Sequence, residues 1–371
     1  MKLTKFVQVL FSLVLIIYCT QNISAQDFQK ELSAVKSAQN TFLQTQLNER
    51  ITKISNTPDF VRAANVSVNA LVLSNSLSDY LNDVSSLNNP NNADLGFSLS
   101  QKVTDLLASN LFKDPKKKGF SRFMDIASGI IQHPLVSSLT SALPIVSSLN
   151  SVMNLVNNAA IQSPEMPIDD VNKFRDEISK FVAHYQGLAD ATTHFQAAVI
   201  GVQERSDELQ ITLKSFTTQR IGNLYPAKME SVSKETSLRK VLVDVYEKEK
   251  VVKTVQEVLV KYNQNGATSQ ELALTDPQLV YPEYAVNEAR FIYDELNAVS
   301  QEYVNSFNEY NNEIIQILEK SKTLGNSEKI DKKIALMKDK LSKVEEAFLN
   351  AVHVEEVESR FKALARTHIG G

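Results

Sequence analysis

Apolar and polar positions repeat along most of this chain with helical spacing. The longest run reads Phe174, Ile178, Phe181, Tyr185, Leu188, Thr192, Phe195, Val199, Val202, Ser206, Leu209, Leu213 and Phe216, in steps of four and three without a miss. A heptad pattern held for about six heptads predicts one long helix with a coiled-coil-like seam. Asp169 or Asp170 is placed to cap its start, and Gly222-Asn223-Leu224-Tyr225-Pro226 to end it. Gly187 and Gly201 lie inside it, each costing about 1 kcal/mol relative to Ala.

The flanking segments follow the same rule. Phe28, Leu32, Val35, Phe42, Leu47, Ile51 and Ile54 mark a first helix, and Asn56-Thr57-Pro58 is expected to break it. A second helix is expected over 58–87, a loop at 88–92, a third helix over 96–112 and a short one over 120–132. After the long helix, one helix is expected over 227–262, with Leu238, Leu242, Val245, Val252, Val255, Leu259 and Tyr262 inward. Asn-Gly, Asp-Pro and Tyr-Pro pairs make 263–282 mainly loop, with at most one short turn near Glu271. Heptads resume over 283–324 through Val286, Ala289, Tyr293, Leu296, Tyr303, Phe307, Tyr310, Ile314 and Ile317.

Gly325-Asn326-Ser327 reads as a tight turn with a capping residue, which makes the helices on either side antiparallel neighbours. The last helix carries Ile330, Ile334, Met337, Leu341, Val344, Phe348 and Ala351. Its stripe then slips to Val354, Val357, Phe361 and Leu364, an extra step of three expected to act as a stammer. The fold class implied is all-α: an elongated antiparallel helical bundle with long coiled-coil-like helices. Three regions follow: 1–25 as a signal peptide, 26–163 as an N-terminal helical region and 164–371 as a long four-helix bundle.

One stretch stands apart from this charged pattern. Residues 126–164 contain no Asp, Glu, Lys or Arg. Leu135, Leu139, Leu143, Val146, Leu149, Met153, Val156 and Ala160 recur at helical spacing, opposite Ser137, Ser141, Ser148, Ser151, Asn154 and Asn158. The result is an amphipathic helix whose polar face is uncharged, with Pro144 inside the pattern and expected to kink it. Three readings compete: a central helix packed by others, a membrane-entering hairpin within 126–161, or a partner surface. The candidate membrane or partner surface is Leu135, Leu139, Leu143, Pro144, Val146, Leu149, Met153 and Val156. A permanent span is disfavoured, because about half the stretch is not apolar.

Composition changes the picture mainly at the N-terminus. Lys2 and Lys5 precede the apolar run Phe6–Tyr18, and Ile23-Ser24-Ala25 ends in a small residue suited to cleavage before Gln26. The expectation is export, to the periplasm or the medium. A lipoprotein through Cys19 is disfavoured because Tyr18 is bulky where a small residue is wanted. Cleavage after Ala25 removes the one cysteine, and with it disulfides, thiol catalysis and Cys-ligated zinc. The remaining chain carries 37 basic and 43 acidic side chains, a formal charge of −6. With no basic stripe interleaved with aromatics, nucleic acid is not an expected partner. The Lys113–Gly119 cluster reads as a solvated turn, with anionic lipid as its other use.

Motifs for chemistry are absent. The histidines are His133, His184, His194, His353 and His368, and neither HExxH nor Glu-x-x-His occurs. His184 and His194 are read at the edge of the seam or in solvent, and the His353/Glu356 pair as a surface pair. No glycine-rich phosphate loop or nucleophile elbow is present. No catalytic, cofactor-binding or metal site is therefore expected, and no cofactor. Partners, if any, are a protein or a second copy through the heptad seams, or a membrane.

The leading functional reading is a noncatalytic exported bundle with a structural, scaffold or binding role in the cell envelope. In outline, long helices around an apolar element, the chain is also similar to the cytolysin A and haemolysin BL type of toxin. That resemblance implies a pore-forming or membrane-perturbing protein that uses 126–161. The exported protein is expected to begin at Gln26, which its intact mass checks; a mass carrying an acylated Cys19 replaces this with the lipoprotein reading.

Overall fold

The computed structural model describes residues 25–72, 93–111, 142–162, 167–235, 237–262 and 267–366, with Val84, Ser86, Leu87 and Asn89. Among these residues all regular structure is helical. The long helices are α1 (Ala25–Val72), α4 (Ile168–Leu224), α9 (Glu283–Lys320) and α10 (Ser327–Val352). Between them lie α2 (Leu99–Leu106), α3 (Ala142–Gln162), α5 (Met229–Lys234), α6 (Leu238–Asp244), α7 (Lys248–Val260) and α8 (Ala267–Thr275), and α11 (Val354–Ala365) comes last. The leader, the Lys113–Gly119 turn, the expected 120–132 helix, Leu135 and Leu139 lie outside the described residues, as do most of 73–92.

The described residues group into two compact units, and the ranges given for each refer to them alone. The first takes 1–65, 212–293 and 355–371. Its core closes around Phe60, fully buried, with Phe216 edge-on at 6.2 Å and Phe361 at 6.4 Å. Tyr293 stacks on Phe361 at 5.8 Å. At the rim Asp59 takes Lys248 at 2.6 Å and Arg360 at 3.8 Å.

The second unit takes 66–211 and 294–354. The α4 stripe from Phe174 to Leu209 is buried at every heptad position except Val199, which is half-buried. It meets α9 through Gly187 against Ile317, Phe195 stacked on Tyr310 at 4.6 Å, and Arg205 with Glu295 and Glu302. As the number rises on α4 it falls on α9, so the two run antiparallel. Helix α10 folds back on α9 in the same sense, with Tyr303 stacked on Phe348 at 4.4 Å and Lys322 paired to Asp331 at 2.7 Å. Asn326 caps α10 by accepting from the Lys329 N–H, as the turn sequence implies.

Five expectations are corrected. Pro58 does not end the first helix but lies within α1. A mid-helix proline costs about 3 kcal/mol, yet Thr57, Phe60, Val61 and Ala64 are all buried beside it, and the Thr57 hydroxyl bonds the Lys53 carbonyl at 2.7 Å. Packing outweighs the lost backbone bond. The single helix expected over 227–262 is three, because Ser237 caps α6 by accepting from the Lys240 N–H, and Tyr246 is buried in the gap before α7. The buried face of α7 is Val251, Val255 and Val258, not Val252 and Leu259. The stammer is a helix stop instead: His353 takes a left-handed conformation, φ 50°, ending α10 at Val352. Stopping lets Val352 and Val357 both be buried without overwinding. His184, read from sequence as an edge or solvent residue, is also buried.

Gly96, at φ 79°, and Gly325 meet where two turns touch backbone to backbone. A Cβ on Gly325 would lie 2.7 Å from the Phe97 ring and closer still to the Leu95 carbonyl, while nothing lies within 4 Å of one on Gly201. Gly325→Ala is therefore expected to lower stability by about 2 kcal/mol or more. Gly201→Ala should raise it by about 0.5–1 kcal/mol through helix propensity. Thermal melting of the two variants checks both signs.

Candidate functional site

The apolar helix α3 belongs to the second unit. It buries Ile145, Val146, Leu149, Val152 and Val156, while Met153 and Leu155 are half-buried. Leu143 and Pro144 lie in its first described turn. The exposed face is Ser147, Asn150, Ser151, Asn154, Asn157 and Asn158, without a charge, and Ser151 returns its hydroxyl to the Ser147 carbonyl at 2.9 Å. The sequence stripe missed Ile145 and Val152, although Ile145, Leu149, Val152 and Val156 are themselves spaced four, three and four. Among the described residues no helix is long and apolar enough to cross a membrane.

Two buried polar clusters were not legible as sites. In the second unit, His184 is 4% exposed and its Nδ1 lies 2.6 Å from Ser321 Oγ. Ser321 donates its own proton to the Ile317 carbonyl at 2.6 Å, so Nδ1–H is the donor to Oγ. Nε2 has no partner. Phe97 and Tyr185 stand edge-on to the ring at 5.9 and 4.9 Å. Burial pushes the imidazole down to about 4. A serine bonded to a histidine is the geometry of an activated nucleophile. Here the proton points to a backbone carbonyl and Ser321 is 2% exposed, so Oγ meets no substrate.

In the first unit, Arg220 is buried against Phe216, Tyr281 and Tyr284, with its guanidinium carbon 5.4–5.8 Å from the three ring centres. Glu288 Oε2 is 3.9 Å from Nη2, too far for a hydrogen bond, and Nε and Nη1 lack partners. Beside it Tyr246 and Tyr281 flank Thr57, and burial raises both phenols above their usual value. The recess lined by Arg220, Asn223, Tyr246 and Gln278 leaves room for about one water molecule. A water there can accept from the guanidinium; an organic ligand does not fit.

His194 is exposed and 3.9 Å from Glu313, and His353 is exposed at the end of α10. Among the described residues no three His, Cys, Asp or Glu side chains converge to hold a metal. Comparison with protein-family models, with curated proteins and with solved structures gives no match.

What Arg220 contributes is separable. With Glu288 at 3.9 Å the ion pair is weak, and the three rings hold the side chain. Arg220→Met, which keeps a long stem without the charge, should change stability by less than about 1.5 kcal/mol. Arg220→Ala, which empties the space between the rings, should cost about 2–4 kcal/mol. Melting of the two variants side by side separates packing from charge.

Proposed function

We propose that the protein is a noncatalytic exported helical-bundle protein with a structural, scaffold or binding role in the cell envelope. The observation that carries this reading is how the buried polar groups are used. His184, Thr192, Ser206 and Thr217 bond neighbouring side chains or their own helix, and all four are buried away from solvent. The apolar run Phe6–Tyr18 behind two lysines supports export, with cleavage before Gln26.

A second reading, membrane perturbation through 126–161, draws on the uncharged outer face of α3. Serine and asparagine are far less costly to bring to a lipid surface than charged side chains. The two readings separate in one experiment: dye release from phosphatidylglycerol–phosphatidylethanolamine vesicles by the purified mature protein, beside its elution volume. The scaffold reading expects no release. Release that Ser147→Asp abolishes while the melting point stays put replaces it with the membrane reading. Ser147 is exposed, so that variant should cost under about 0.5 kcal/mol. Leu149→Ala, in the packed face, should cost about 2–5 kcal/mol.

A further inference from the structure

His184 lies beneath a contact that is unusually short and narrow. The turn Asp94–Phe97 reaches the connection between α9 and α10 with no side chains between the two backbones. The Asn326 N–H donates to the Leu95 carbonyl at 3.1 Å. A Cβ on Gly96 would come within 2.6 Å of the Asn326 nitrogen, so only glycine permits the approach. Phe97 follows directly and packs its ring on Phe181 at 5.4 Å and on His184. The turn thus covers the imidazole, and α2 continues from it through the buried Leu99 and Val103.

The covered ring is built for the neutral state. Nδ1–H is spent on Ser321, and Nε2 has no hydrogen-bond partner. A second proton would add a donor with nothing to accept it and a charge with no water around it. The surrounding elements offer no compensation. Tyr185 on α4 stays a neutral phenol because burial raises it. On the connection after α9, Lys322 already holds Glu319 and Asp331. Glu328 on α10 is committed to Lys332, Gln186 on α4 holds Asp190, and Asp94 on the turn is exposed. Among the described residues no carboxylate reaches the ring.

We propose that the Asp94–Phe97 turn is an acid-released clasp: a second proton on His184 frees the turn and α2 behind it from the α4–α9–α10 corner while the rest of the unit stays folded. The direction follows from linkage. The buried ring binds its proton more weakly than an exposed one, so the clasped form is favoured in full above about pH 6.5 and loses ground as the pH falls toward 4. Between an exposed histidine near 6.5 and the buried one near 4, the open fraction can rise by about 300-fold. Among the described elements, opening the turn is the smallest movement that wets the ring, since freeing it from the other side means separating α4 from α9.

The Asn326 amide is the reporter, because its bond to Leu95 exists only in the clasp. Hydrogen exchange by NMR on the intact mature chain, corrected for the intrinsic rate, should show its protection falling by about 100-fold from pH 7 to pH 4. The Tyr303 amide, deep in α9, should hold its protection over that range. In His184→Gln the fall at Asn326 should disappear. The proposal fails if Asn326 and Tyr303 lose protection in parallel, if Asn326 is unchanged across the range, or if the variant shows the same fall as wild type. The first two outcomes need only wild-type protein, so a variant that does not fold leaves the test intact.

Discussion

The arrangement of the second unit depends on one constraint: the α4 stripe must be covered from Phe174 to Leu209. A helix with that much apolar surface on one side is not stable alone in water, and most of its stability has to come from packing. Each large side chain buried there contributes about 1.5–3 kcal/mol. Covering the stripe fixes α9 antiparallel along it, through Gly187 against Ile317 and Phe195 against Tyr310. The short connection 321–326 through Gly325 then leaves α10 no choice but to return along α9. Gly187 matters to this order: a Cβ there would press to 3.1 Å on Ile317.

Buried polar residues in the two units are handled in two ways. Ser206 and Thr217 turn inward, onto carbonyls of their own helix at 2.7 Å. His184 and Arg220 depend on neighbours, and both end with nitrogens that have no partner. The difference is one of size. A hydroxyl on a short stem reaches the carbonyl four residues back, whereas an imidazole or guanidinium projects past its own backbone into whatever the next helix offers.

The heptads of α4 and α9 were legible because their period is sustained and no local signal contradicts it. The same reading failed where local and tertiary signals disagreed. Asn56-Thr57-Pro58 carries every mark of a helix end, yet the burial of Phe60 and Val61 holds the backbone helical. Over 227–262 the apolar pattern was continuous, and the breaks come from a serine cap and from Tyr246, whose large side chain fills a gap that periodicity does not describe. At His353 the register slip was visible in the sequence, but whether it is absorbed by overwinding or by a left-handed residue is decided in three dimensions. On α3, Val146, Leu149 and Val156 of the sequence stripe are buried and Met153 is half-buried, while Ile145 and Val152 were not picked out. The His184 and Arg220 clusters were not legible, because their partners lie far away in the chain: Ser321 for one, Tyr281, Tyr284 and Glu288 for the other.

The inward-turned hydroxyls have a consequence for temperature. Ser206 asks nothing of the neighbouring helix, so along that part of α4 adhesion is almost wholly apolar contact, with Arg205 at its edge. Contact of that kind draws its strength from the entropy of water and weakens on cooling, while hydrogen bonds between helices do not fade in the same way. Within the second unit, then, chilling loosens the Ser206 stretch of the α4–α9 interface before the aromatic stretch at Phe195 and Tyr310, where stacking adds to area.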